Sequence, residues 1–267
     1  MARRASPANW YDYPQYFDLA FSDETIAEAN FFEQAIARYA QRPIRRWLEP
    51  GFGGGRLVVE MAQRGYDLVA FDNNPRALAY VEQRLKKQKL SAELFLADLA
   101  DFRIRSRVDG AFCTFNTFRH LLSEAAALSH LQSVARAVAP GGLYVLGFHL
   151  LPPDASEECI ERWSATRGKS KVTFTLRVVD TNRRRREERL RVSMLVRSPQ
   201  RELRLRNEFP LRMYTAAQFK RLLAQCPEWE LCDVFDFWYE IDEPLLLDNE
   251  LSDAVFVLRR RSGRAVV

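Results

Sequence analysis

Arg46-Trp47-Leu48-Glu49-Pro50-Gly51-Phe52-Gly53-Gly54-Gly55-Arg56 is the stretch on which the reading of this 267-residue chain turns. It follows a short apolar run, Ile44 to Leu48, that predicts a strand, and it opens a helix-period segment from Gly54 to Gln63. The glycines let the backbone bend sharply and approach a ligand closely, because no Cβ intrudes. Past a second apolar run, Leu68 to Phe71, Asp72 is placed to accept hydrogen bonds from ribose hydroxyls. A plainer alternative gives the glycines a packing role only, with Asp72 capping the helix begun at Pro75. A dinucleotide would want glycine at position 56, where Arg56 stands, and Glu49 before the turn would repel a pyrophosphate. Glu49 suits a cationic amine, so a nucleoside carrying an ammonium fits these residues better than NAD.

Outward from this stretch the chain alternates. Apolar runs at Glu93 to Leu96, Gly110 to Thr114 and Leu143 to Phe148 are separated by helix-period segments at Pro75 to Lys87 and Glu124 to Ala139. Strands alternating with helices at this spacing predict an α/β fold, a parallel, doubly wound sheet covered on both faces. Pro140-Gly141-Gly142 is expected to end one helix and launch the fifth strand. Before the glycine stretch, an aromatic-rich opening (Trp10, Tyr11, Tyr13, Tyr16, Phe17) leads into a helix from about Ser22 to Tyr39, with Ile26, Phe32, Ile36 and Tyr39 on one face, expected as a lid or cap. After Leu151-Pro152-Pro153 the period changes to two, at Lys171 to Val179, Arg189 to Val196 and Glu202 to Phe209, which predicts an inserted antiparallel meander. A helix from Thr215 to Gln225, with Thr215 as N-cap, and strands near Trp229 to Phe237 and Ala254 to Arg259 close the chain. The expected organisation is a segment 1–41, a main domain 42–151 and 211–260, and an inserted β subdomain 152–210.

Composition excludes several classes. Hydrophobic residues make up 47% and charged residues 28%, with only 11 Gly and 12 Pro, so a low-complexity or collagen-like chain is ruled out. No run approaches the roughly eighteen apolar residues of a membrane span, and Met1 to Pro7 lacks the apolar core of a secretory signal, so a cytoplasmic location is expected. Cys113, Cys159, Cys226 and Cys232 form no C-x-x-C pair, and with three histidines no metal site is expected. The net charge of +5 hides two blocks. Residues 167–221 hold 17 Lys/Arg against 5 Asp/Glu, whereas 228–253 hold 10 acids and no base. The alternation Arg201-Glu202-Leu203-Arg204-Leu205-Arg206 reads as the solvent face of a half-buried strand that partly neutralises the acidic block. The rival reading is a grip on an anionic partner.

The pattern resembles that of the class I S-adenosylmethionine-dependent methyltransferases. Their E-x-G-x-G-x-G is present as Glu49 to Gly55, the ribose acid as Ala70-Phe71-Asp72, and Leu96-Ala97-Asp98-Leu99 looks like the adenine-contacting acid and its neighbour. Val108 to Phe112, leading into Phe115 to Leu121, looks like the exit of strand four beside the methyl donor. Tyr16-Phe17-Asp18-Leu19 and the insertion before Leu211 to Thr215 are similar to the small-molecule members, including the sugar N-methyltransferases. At position 54 a small residue or Thr often stands where Gly54 is found here. The resemblance implies a Rossmann-like, doubly wound seven-stranded sheet with its last strand antiparallel. It also implies S-adenosyl-L-methionine, held by Tyr16, Glu49, Gly51, Gly53, Gly55, Asp72, Asn73, Asp98, Leu99 and Phe115.

Methyl transfer from a sulfonium needs positioning more than a nucleophile on the enzyme, but a general base helps an acceptor shed its proton. His120, after strand four, is the expected catalytic base; a helix-start histidine packing on Phe118 and Leu121 is the alternative. His149, at the exit of strand five, comes second, and His130 is expected on a helix surface. Tyr11, Tyr13, Tyr16 and Phe17 are expected either to close over the donor or to staple the segment to the sheet. Phe115 and Phe118 are read as pocket walls, and Trp163, Trp229 and Trp238 as packing. A small-molecule N or O acceptor is expected. The alternatives are RNA methylation with Arg183 to Arg186 on phosphates, within the Arg-rich stretch 183–191, and a non-catalytic donor-binding module.

Overall fold

The computed structural model of the chain describes residues 9–156, 159–200 and 202–262. Met1 to Pro7 and Arg201, used in the sequence reading, lie outside the described residues. Seven strands form one sheet: β1 (Arg46–Pro50), β2 (Asp67–Asp72), β3 (Glu93–Leu96), β4 (Val108–Cys113), β5 (Val138–His149), β10 (Trp229–Phe235) and β11 (Asp253–Arg260). Their order is β10-β11-β5-β4-β1-β2-β3. Strands β1 to β5 pair in parallel, while the last strand, β11, runs antiparallel to β5 and β10. This is the expected doubly wound sheet, and both its faces are covered.

Alternation along each strand sends side chains to opposite faces. Leu48, Ala111, Cys113, Leu146, Phe148 and Phe256 point into one apolar layer, under α5 (Glu124–Ala137) and α6 (Ala216–Ala224). Trp47, Phe112, Val145 and Val257 point into the other, under α2 (Thr25–Tyr39), α3 (Arg56–Gln63) and α4 (Pro75–Gln88). Thr215 does cap α6, in a capping box completed by Gln218.

Several expectations change. The helix expected as a lid is core: α2 buries Phe31 and Phe32 completely against the sheet, and Ile26, expected on its apolar face, is 53% exposed. Burial on that scale contributes about 1.5 to 3 kcal/mol per large side chain, which a hinged lid could not sacrifice. The covering part is shorter: the turn Trp10–Asp12 and α1 (Pro14–Ala20). Pro140-Gly141-Gly142 does not launch β5 but sits inside it, where the pairing with β4 slips between Val108 and Gly110.

The insertion is a four-stranded antiparallel sheet in the order β6-β7-β8-β9, formed by β6 (Ile160–Arg167), β7 (Ser170–Asn182), β8 (Glu187–Arg197) and β9 (Glu202–Arg212). Strand β6 was not foreseen, because as an edge strand it carries few apolar residues. Val172, Phe174, Val192, Met194, Val196 and Leu205 line the inner face and pack on Trp10 and Leu19. On the arginine-rich sheet, Arg191 pairs with its cross-strand neighbour Glu208 (2.6 Å) and Arg197 with Glu202 (3.1 Å). Among the described residues no ion pair joins the basic block to the acidic block; the basic block pairs within the sheet and with Asp18 and Glu124.

Arg186 is not a surface residue of that sheet in the expected sense. It pairs with Glu124 (2.8 Å) and lies 5.3 Å over the Tyr214 ring, on which Arg212 also sits at 5.5 Å. Arg119, after β4, is buried and bonds both Glu188 on β8 and the Arg212 carbonyl. These charges clamp the insertion to the main sheet.

Candidate active site

The exits of β1, β2, β4 and β5 open into one cleft of about 1150 Å³, roofed by the N-terminal aromatic segment and by the insertion. Its floor is the glycine loop. The Phe71 carbonyl accepts from Gly51 (2.7 Å) and Phe52 (3.2 Å), and Gly51, Gly53 and Gly55 all take positive φ, where L side chains are strained. The glycines answer to protein neighbours as much as to any ligand. A Cβ on Gly55 would stand 2.4 Å from Val81 Cγ2, which explains why Gly55 faces α4 and does not line the cleft.

Asp72 closes the loop from β2. Its Oδ2 accepts the Gly53 N–H (2.9 Å) and its Oδ1 the Asn74 N–H (2.9 Å), while burial, partly offset by those donors, raises its carboxyl from the ordinary value. The cap of α4 is Asn74, which accepts from Arg76, so Asp72 does not serve as the cap of the plainer reading. Each oxygen keeps lone-pair capacity toward the cleft. Glu49 is 7% exposed, and its Oε2 has no hydrogen-bond partner among the described residues. Burial pushes its carboxyl well up, against the pull of Arg56. A buried carboxyl with one unsatisfied oxygen lining a cleft is a place for a cation. Arg56, at the position a dinucleotide fold would give to glycine, is turned inward, paired with Glu28 at 2.5 Å and stacked 4.6 Å over Phe115.

The methyl-transfer side of the cleft is the exit of β4. Phe115 and Asn116 take left-handed φ of +55° and +64°, each costing about 1 to 3 kcal/mol and so held by their surroundings. Asn116 Oδ1 accepts the His149 N–H (2.9 Å), tying the ends of β4 and β5 together. His120 lines the cleft, its Nε2 3.0 Å from the Tyr11 hydroxyl and its ring stacked on Phe209. The ring is open to the cleft yet walled in by protein. Loss of bulk solvent and the Arg119 guanidinium lower its pKa to about 4, so it is neutral at ordinary pH.

Of the remaining expected residues, Asn73, Asp98 and Leu99 line the cleft, with Asp98 Oδ1 accepting from Ala100 at 2.7 Å. Tyr16 does not line it; it stacks on Tyr13, and the rings that reach the cleft are Tyr11 and Phe17. Phe118, expected as a wall, is completely buried in the core. Trp238, expected in packing, is 80% exposed at the cleft lip, whereas Trp229 does pack. Trp163 lines the cleft and donates to the Ala20 carbonyl (3.2 Å). His130, expected on the surface, is buried between the Leu99 carbonyl (2.8 Å) and the Tyr144 hydroxyl (2.7 Å). Sequence reasoning missed Glu24 and Asp253, which also line the cleft. Asp253 faces His149 only through the antiparallel register of β11 on β5, a pairing no spacing signals.

Residues 47–142, from the first strand to the start of the fifth, match the model of a methyltransferase domain. Over these residues the chain is similar to a methyltransferase domain. A protein of Geobacillus sp. (strain WCH70), provisionally named a methyltransferase, is 22% identical over 142 residues, 53% of this chain and 56% of its own length. The chain thus spans about half the length of the curated relative it matches. Among solved structures, an S-adenosylmethionine-dependent methyltransferase from Clostridium acetobutylicum superposes with a TM-score of 0.77 at 13% identity, over 95% of this chain and all of that one. A sugar N-methyltransferase from Streptoalloteichus sp. gives 0.74 at 16% identity, over 98% and 96%. An amino pentose methyltransferase from Micromonospora echinaspora, solved with S-adenosylmethionine bound, gives 0.66 at 19%, over 95% and 92%. The chain therefore has the fold of these structures, insertion included.

Proposed function

We propose that the protein transfers a methyl group from S-adenosylmethionine to a nitrogen or oxygen of a small-molecule acceptor. The observation that carries this reading is the buried Glu49 carboxyl, whose Oε2 has no hydrogen-bond partner among the described residues, at the lip of a glycine loop whose other edge is Asp72. That donor set fits an aminoacyl nucleoside: Glu49 for the ammonium, Asp72 for ribose hydroxyls, and Asn73, Asp98 and Leu99 around the base. Phe115 and the Tyr11 and Phe17 rings would flank the sulfonium end. Bound there, the donor supplies a methyl already activated on sulfur. The protein's part is to hold two reactants in line and keep water out.

In this reading 42–151 and 211–260 hold the donor, 152–210 wall the acceptor, and 9–21 rather than all of 1–41 close over both. The neighbours named for sugar substrates support a small polar acceptor. Arg186, spent on Glu124 and Tyr214, weakens the RNA alternative. Cys113, Cys159, Cys226 and Cys232 are unbridged and no described helix is long and apolar enough to cross a membrane, which suits a cytoplasmic setting. His120 is neutral and bonded to Tyr11, so its proposed part is contact with the acceptor. Calorimetry tests the reading: S-adenosylmethionine or its demethylated product binds and NAD does not. Asp72→Ala should cost about 1.5 to 3 kcal/mol of donor affinity, the scale of a hydrogen bond to a charged acceptor. Unchanged affinity would sink it.

A further inference from the structure

At the cleft lip, His149 ends β5 and Asp253 begins β11, and the two are direct partners in the antiparallel ladder. His149 Nδ1 lies 2.6 Å from Asp253 Oδ1. Both side chains are about half exposed and both line the cleft. The His149 backbone N–H is held by Asn116 at the strained exit of β4, and its ring meets the Phe237 edge at 5.0 Å. An imidazole held by Asp253 and packed on Phe237, with Nδ1 committed to a carboxylate, is in the tautomer that leaves Nε2 as an acceptor. Among the described residues nothing hydrogen-bonds Nε2. His120 is the opposite case: its Nε2 is taken by Tyr11, and its depressed basicity makes it a poor sink for a proton.

Resting on the methyl-transfer reading above, we infer that His149, oriented by Asp253, is the group that takes the proton from an amine acceptor. An amine arrives as R–NH3+. Nε2 of His149 removes one proton, leaving the nitrogen lone pair free and an imidazolium beside the Asp253 carboxylate. The acceptor nitrogen then bonds the methyl carbon as the carbon–sulfur bond of the sulfonium donor breaks, its electron pair staying on sulfur. The products are a methylated ammonium, a thioether and an imidazolium that releases its proton to water. Asp253 at Nδ1, Glu24 across the lip and Arg56, paired with Glu28, are the charges around this step. The placement of pair and acceptor follows the fold: β5 and β11 are neighbouring interior strands of the sheet, and the β4 exit beside them is where the donor's methyl end would lie.

The test uses the full chain and two readouts. Nitrogen-15 imidazole spectra should show His149 as the Nδ1–H tautomer, and Asp253→Asn should erase that preference. A panel of free amino sugars is then screened with S-adenosylmethionine, and the fastest acceptor is taken into single-turnover pH profiles. His149→Gln should keep affinity for S-adenosylhomocysteine within a few-fold, lower transfer about a hundredfold and remove the acid limb of the profile, while His120→Ala keeps that limb. A His149→Gln enzyme with its rate and acid limb intact overturns the dyad and leaves the methyl-transfer reading standing. Should no amine be methylated although the donor binds, the acceptor class fails and the tautomer decides. An Nε2–H ring then overturns the dyad. An Nδ1–H ring whose Nε2 is carbethoxylated by diethyl pyrocarbonate supports it.

Discussion

Gly54 and Asp18 are pressed together so closely that a Cβ on Gly54 would stand 2.8 Å from the Asp18 Cβ and 3.0 Å from its backbone nitrogen. Asp18 is 2% exposed and ion-paired to Arg84 (2.8 Å) and Arg167 (3.3 Å), and Arg84 also donates to the Gly54 carbonyl (2.7 Å). The helix α1 is thereby fastened to the glycine loop and to the end of β6 at one point. This accounts for glycine at position 54: the space a side chain would need belongs to α1.

Gly54→Thr should therefore behave as overpacking. The backbone on both sides is held, so the added side chain displaces α1 or the loop at a cost of about 1 to 3 kcal/mol. Denaturant titration should register that loss, and calorimetry a weaker donor, since the loop is the cleft floor. Parent-like stability and affinity in Gly54→Thr would contradict the fastening.

The arginine cluster divides by burial. Glu188→Gln removes one partner of the buried Arg119 ion pair and should destabilise by about 3 to 5 kcal/mol. Arg184→Ser and Arg185→Ser, in the exposed turn, should change stability by less than about 0.5 kcal/mol. Arg186→Ser should fall between them, because it releases Glu124 and the Tyr214 face. Urea midpoints for the four variants check the ranking. Salt-sensitive RNA binding by the parent, lost in Arg184→Ser and Arg185→Ser, would restore the nucleic-acid alternative.

How much of this was legible in the sequence follows from the range of each cause. The parallel sheet could be read because every buried strand is a short apolar run, and the placement of Glu49 and Asp72 on the cleft could be read because it depends on positions at strand ends. His130 and α2 were misplaced because periodicity reports an apolar stripe without saying what covers it: Ile26 fits the stripe and faces solvent, while His130 breaks it and is buried by Leu99 and Tyr144. Asp253 and Asp18 were invisible as site or loop elements. Their partners lie 104 and 66 residues away, joined only by sheet register and by helix packing.

Buried His130 gives the fold a dependence on acid. Burial lowers its pKa to about 4, against an unfolded value near about 6.5, so between those values the unfolded chain binds more protons. Stability therefore falls as pH drops from about 6.5 to about 4, by on the order of 3 kcal/mol, and this contribution is flat below. Glu28 and Glu49, whose carboxyls burial raises, act in the opposite direction over their own range. Comparing the parent with His130→Gln cancels them. The parent's urea midpoint should drop more steeply on acidification than the variant's, and equal slopes would rule out His130 as the cause.

The Tyr11–His120 pair sets the last expectation, on the acceptor side. Burial and the Asp72 charge push the Tyr11 phenol up, so it stays protonated and donates, while His120 at about 4 stays neutral and accepts. Such a pair can orient an acceptor through the remaining ring N–H, but it has little pull on a proton. His120→Ala should then leave donor affinity within a few-fold and raise the acceptor KM about tenfold, the worth of one hydrogen bond, with kcat affected less. Tyr11→Phe should do the same more weakly, because the ring still stacks. Were His120 the base instead, single-turnover transfer in His120→Ala would fall about a hundredfold with KM unmoved, and the parent's acid limb would lie near its pKa of about 4. Steady-state and single-turnover rates across that range, measured on one acceptor, separate the two, because an orienting contact moves KM and a proton sink moves the chemical step.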